Sequence, residues 1–143
     1  MEDFVPFEIA KKLKEKGYPQ EEKSTIAMYD EDGCLSHLCP TFNIDRCYYI
    51  FDDFDERDCV APTISQVLKW LREEKKIHIE VVFGCCGFCW DLILNIKYVE
   101  GHDNSEWDLL DCEKYAEIDN QENHSTYEEC ALCAIEYVLN NII

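Results

Sequence analysis

The stretch "IHIEVVFGCCGFCWDLILNIKYV", residues 77–99, decides the fold. It holds two alternating runs. In the first, Ile77, Ile79, Val81 and Phe83 interleave with His78, Glu80 and Val82. In the second, Trp90, Leu92, Leu94, Ile96 and Tyr98 interleave with Asp91, Asn95 and Lys97. Side chains of a strand point to opposite faces in turn, so a period of two is the mark of a half-buried strand. Between the runs, Gly84 and Gly87 bracket Cys85 and Cys86, the composition of a tight turn. The stretch therefore reads as an antiparallel hairpin with one apolar face. A lone hairpin is marginal in water, so that face needs a cover.

Helices supply it. "APTISQVLKWLREEKK" (61–76) places Ile64, Val67, Leu68 and Leu71 at i, i+3, i+4 and i+7, with Trp70 at the edge of the stripe. Thr63 followed three residues later by Gln66 has the spacing of a capping box. "STYEECALCAIEYVLNNII" (125–143) opens with hydroxyl residues and Glu128/Glu129, then repeats Tyr127, Ala131, Ala134, Ile135, Val138 and Leu139 on one face. Near the start, Pro6 suits a first turn; Ile9, Ala10 and Leu13 share a face, and Gly17 with Pro19 ends the helix. "STIAMYDEDGCLSHL" (24–38) reads as a second hairpin around Asp32-Gly33. "CYYIF" (47–51) reads as a strand, "DDFDERD" (52–58) as an acidic loop, and 100–123 as an acidic loop or insertion.

The expectation is a single α+β domain over 1–143: a small antiparallel sheet built from hairpins, with about three amphipathic helices packed on one face. No repeat and no low-complexity segment occurs. No run approaches the roughly 20 apolar residues that cross a bilayer. The acidic, periodic start has neither the basic nor the apolar region of a secretory signal, so a cytoplasmic location is expected. The ten cysteines are then expected to be thiols, most of them filling space.

The net charge is −18, from 31 acids and 13 bases. A binder of nucleic-acid phosphates or of an anionic membrane needs a basic stripe, so neither is an expected direct partner. The charge is uneven. Residues 1–24 are close to neutral, whereas from Tyr98 onward Lys114 is the one base among twelve acids. This makes Asp103, Glu106, Asp108, Asp111, Glu113, Glu117, Asp119 and Glu122 the candidate interaction surface, suited to a basic partner protein.

Four thiols at the spacings Cys86-x-x-Cys89 and Cys130-x-x-Cys133 match the number a tetrahedral zinc needs. The second pair lies in a helix rather than on a turn, and buried or edge thiols explain both pairs more simply. A thioredoxin-like reading of "CGFC" (86–89) is weaker, because that chemistry wants the first thiol at a helix N-terminus and a strand follows here. No histidine has ligand spacing to another. "YDEDG" and "DDFDERD" lack the twelve-residue loop and closing glutamate of an EF-hand. Asn123-His124-Ser125 matches a glycosylation sequon but reads better as helix capping. There is no phosphate-binding glycine loop, no GxSxG and no HExxH motif. No catalytic residue, no cofactor and no enzyme activity are expected.

"FVPFEIAKKLKEKGY", "MYDEDG", "APTISQVLKWLREEKKIHI" and "STYEECALCAIEYVL" together resemble a family of small uncharacterised proteins carried by phages and mobile elements of gut Bacteroidetes. The likeness follows the whole order of elements and is least in 39–59 and 100–123. It implies a bacterial or phage setting and no particular reaction. The function expected is that of an accessory protein acting by protein–protein interaction through its acidic surface. Two alternatives stand beside it: a DNA mimic that inhibits a host DNA-binding or defence enzyme, and a zinc-stabilised or thiol-redox domain built on Cys86, Cys89, Cys130 and Cys133.

Overall fold

Pro6 closes an extended segment (φ −61, ψ 156) and the first helix, α1, follows over Phe7–Glu15. Proline at this boundary fits because its fixed φ and missing N–H cost nothing before the first turn. Ile9, Ala10 and Leu13 are the buried stripe, and Gly17 leaves the helix with φ +90. The structure is a computed structural model that describes residues 3–20, 27–37, 56–100, 107–114 and 123–143. Its contacts divide the chain into two compact units, residues 1–63 with Ile143, and residues 64–142.

In the first unit, β1 (Ala27–Tyr29) pairs antiparallel with β2 (Leu35–His37) on one side and β3 (Cys59–Val60) on the other. The β1–β2 connection is longer than a two-residue hairpin turn. The Asp30 carboxylate accepts from the backbone N–H of Asp32 and of Cys34, both at 2.9 Å, and Gly33 takes φ +84. An Asx turn of this kind lets a short acid organise its own loop. The Phe7 ring lies against Gly33, where a Cβ would meet its Cδ1 at 2.8 Å, and stacks at a tilt on Tyr29, 5.4 Å between centroids. The Tyr29 hydroxyl donates to the Val5 carbonyl at 2.7 Å. The Lys14 ammonium donates to the carbonyls of Glu56 and Asp58, closing the segment that leads into β3. Residues 47–51, read as a strand, lie outside the described residues.

In the second unit, α2 (Ile64–Glu74) precedes β4 (His78–Gly84), β5 (Gly87–Glu100) and β6 (Trp107–Lys114), and α3 (Tyr127–Asn141) follows. The sheet order is β4-β5-β6, with both pairings antiparallel. Both helices pack on the sheet and touch one another. The core contains Ile64, Val67, Trp70, Leu71, Ile77, Ile79, Trp90, Leu92, Ala131, Ala134, Ile135, Val138 and Leu139. The Trp90 and Tyr137 rings meet at 5.2 Å and mark the face that α3 covers. The Thr126 hydroxyl caps α3 by accepting from the Glu129 N–H at 3.2 Å, and the Ser125 hydroxyl donates to the Glu129 carboxylate at 3.1 Å.

Three helices and six strands among the described residues, all strands paired antiparallel, make an α+β fold. The sheet is two small sheets of three strands rather than one. Four details differ from the sequence reading. Trp70 is buried and Leu68 half-buried, so the α2 stripe is rotated toward the indole. In α3, Cys130 takes the core place expected of Tyr127, which is 43% exposed. Within 100–123, residues 107–114 form a strand instead of a loop, because β5 runs on to Glu100 and offers them an edge. Along β5 the alternation runs unbroken only to Leu94. Pairing steps from Leu94↔Glu113 to Lys97↔Asp111, one residue extra on β5, and Asn95 there takes φ +53. A bulge wants such a residue, and asparagine tolerates the left-handed region better than most.

Candidate functional site: the hairpin end and the acidic edge

The β4–β5 hairpin outruns its cover. Ile79 is buried, Val81 half-buried and Phe83 72% exposed, so the apolar face continues past the helices into solvent. Register sets Phe83 opposite Phe88 and Gly84 opposite Gly87, leaving Cys85 and Cys86 as the turn. The Phe83 and Phe88 rings lie 5.0 Å apart, and Phe88 meets the edge of Tyr127 at 6.4 Å. A small exposed aromatic group results, resting on the start of α3. Sequence reasoning missed it by assigning Phe83 and Tyr127 to the core. The signal was present, since residues equidistant from a two-residue turn must pair.

Gly87 makes this end possible. Its φ is +119, and a Cβ on it would stand 2.6 Å from the His124 carbonyl oxygen. That closeness follows from a two-way bridge in which the Phe88 N–H donates to the His124 carbonyl and the His124 N–H to the Phe88 carbonyl, each at 2.8 Å. The first residues of β5 are thus held by β4 on one side and by the approach to α3 on the other.

The four zinc candidates are spread over this region. Cys86 is exposed on the turn beside Cys85, their sulfurs 3.6 Å apart. Cys89 is half-buried opposite Val82, out of step along the strand with Phe88 and Trp90. Cys130 is buried in α3 and Cys133 exposed on it. The structure brings Cys89 and Cys133 within electrostatic reach of Cys130. Among the described residues no group of three or more His, Cys, Asp or Glu side chains could hold a metal ion.

Burial, with the Cys89 and Cys133 thiols adding to it, pushes Cys130 up from 9.0 to about 11. The folded state therefore favours the protonated thiol. Its contribution to stability is complete below pH 9 and is lost as pH rises toward 11. Burial also raises Cys59. Two consequences are expected: iodoacetamide labels Cys130 far more slowly than Cys85, Cys86 and Cys133, and the urea midpoint falls from pH 9 to pH 11. Peptide mass mapping and denaturation at the two pH values check them. Labelling of Cys130 at the rate of Cys133 would show that α3 is not packed as described.

The acidic candidates divide. Asp103, Glu106, Glu117, Asp119 and Glu122 lie outside the described residues. Asp108, Asp111 and Glu113 are on β6, registered with Val99, Lys97 and Leu94. β6 is the terminal strand of its sheet among the described residues, so its second edge faces no described strand. Among the described residues no helix is long and apolar enough to cross a membrane. Compared with known proteins, the chain matches no family model, no curated protein and no solved structure.

Proposed function

We propose that this protein is a non-catalytic accessory protein of a phage or mobile element, acting in the bacterial cytosol by binding a basic partner protein along the acidic edge of its second unit. The observation that carries this reading is β6: an eight-residue terminal strand bearing Asp108, Asp111 and Glu113. The edge of β6 that faces no described strand supplies a row of backbone donors and acceptors, and carboxylates along the strand select a basic partner and speed its arrival. The phage setting rests on the sequence resemblance. The net charge of −18 also supports the narrower reading of a DNA mimic, which would occupy the basic groove of a DNA-binding enzyme.

The test is capture from a gut Bacteroidetes lysate on the tagged wild-type chain and on a chain carrying D108N, D111N and E113Q. The expected result is a basic protein retained by the wild type, released by raised salt, and at least about tenfold depleted on the neutralised variant. Equal capture by both chains rejects the edge as the binding surface. Added duplex DNA separates the two readings, because it displaces the partner of a mimic and leaves that of an ordinary interaction module.

A further inference from the structure

The tip of the β4–β5 hairpin carries two thiols set as a chelate. Successive side chains in a strand point apart, yet at this turn the sulfurs of Cys85 and Cys86 lie 3.6 Å from one another, both exposed. We propose that Cys85 and Cys86 form a two-thiolate binding site for a thiophilic species content with two protein ligands, monovalent copper or a trivalent arsenical.

The distances favour an ion over a disulfide. Two sulfurs each roughly 2.3 Å from a centre that they meet at a bent angle, as at trivalent arsenic, stand about 3.4–3.8 Å apart, the separation already present. A linear copper ion would ask the side chains to open to about 4.6 Å. A disulfide asks more of the turn. Neighbouring Cα atoms are about 3.8 Å apart across a trans peptide, whereas a relaxed disulfide spans roughly 4.4–6.8 Å. Closing the S–S bond here would distort the backbone, while seating an ion between the sulfurs would not.

Ligand number and charge narrow the ion. Structural zinc takes four ligands, and no described cluster adds a third donor to this pair. Hard cations want oxygen, and residues 81–90 contain no charged residue in a chain otherwise rich in carboxylates. Thiolate ligands select soft ions such as monovalent copper. The pair is also held in advance: Gly84 and Gly87 close the ladder beneath it, and the Phe88–His124 bridge fixes the strand it springs from. Such preorganisation removes part of the ordering cost of binding.

Binding changes no oxidation state. With phenylarsine oxide, two S–H bonds break, two As–S bonds form, and the oxygen leaves as water with both protons. With monovalent copper, the two thiol protons pass to solvent, so affinity rises with pH.

The experiment titrates the reduced full-length chain with phenylarsine oxide and, separately, with monovalent copper against a coloured copper chelator. The expected outcome is one adduct that protects Cys85 and Cys86 of the wild type from iodoacetamide, seen by peptide mapping. In Cys85→Ser and Cys86→Ser the affinity falls about a hundredfold through loss of one arm, and in Cys133→Ser it is unchanged. Binding of only one of the two probes assigns the site to that species. Cys85 and Cys86 left open to labelling at saturating levels of both probes would overturn the proposal. So would affinity in the two serine variants equal to that of the wild type. Peptide mapping uses the wild type alone, so the result does not depend on the variants folding.

Discussion

Leu92→Ala is expected to lower the stability of the second unit by about 2–5 kcal/mol, the largest effect of any single truncation considered. Leu92 is fully buried, paired with Ile79 on the sheet face that the helices cover. Removing its branch costs the transfer of the lost carbons and leaves a cavity that neighbours on a sheet and two helices cannot collapse to fill. Domains of this size are stable by about 5–15 kcal/mol, so a large part of the folded population is at stake. The measurement is convenient because Trp70, Trp90 and Trp107, the three tryptophans of the chain, all fall within residues 64–142. Tryptophan emission during urea denaturation thus follows this unit. The exposed Lys69→Ala serves as control, with a change within about 0.5 kcal/mol. An unmoved midpoint for Leu92→Ala would mean that the sheet and helices do not share the core described.

Gly87→Ala is expected to cost about 2–4 kcal/mol, from two sources that act together. A side chain at φ +119 is strained in itself, by about 1–2 kcal/mol. The new Cβ would also overlap the His124 carbonyl, forcing apart the pair of Phe88–His124 hydrogen bonds, each worth about 1 kcal/mol. Gly84→Ala is the matched comparison. It sits directly across the ladder, yet its Cβ would meet only the Gly87 carbonyl oxygen at 3.7 Å, an ordinary contact, and its φ is not in the positive region. The two variants should therefore separate by at least about 1 kcal/mol in the same urea experiment, with faster amide exchange at Phe88 and His124 in Gly87→Ala alone. Equal effects would show that the bridge to His124 contributes nothing.

The contrast between these glycines also shows what the sequence could disclose. Both marked the turn, and the hairpin of 77–99 and the three helices were legible because periodicity, caps and turn residues agreed. What distinguishes Gly87 is a carbonyl from His124, 37 positions later, and no local pattern carries that. Tyr127 and Cys130 traded places for a similar reason. They are three residues apart on one helix, and Tyr127 stands against the Phe88 ring at the exposed end of the hairpin while Cys130 is buried. The strand at 107–114 was hidden by its acids, which blur the alternation a strand usually shows. Of the candidate site, the thiols of the hairpin were legible as a turn. Their mutual distance was not, because it depends on the backbone conformation at two residues.

The register between β5 and β6 contains a second shift. After the extra residue on β5, pairing steps from Lys97↔Asp111 to Tyr98↔Leu109, an extra residue on β6. From Leu94 to Tyr98 and from Glu113 to Leu109 the two strands have advanced by the same number, so the slips cancel. For the gene this means that in-frame loss of a single codon at Asn95 would leave the other slip unanswered, putting the rest of the two strands one residue out of register. Loss of a second codon near Leu110 would restore the match. Length variation in this part of the coding sequence should accordingly be inherited in pairs, one codon on each strand, or not at all.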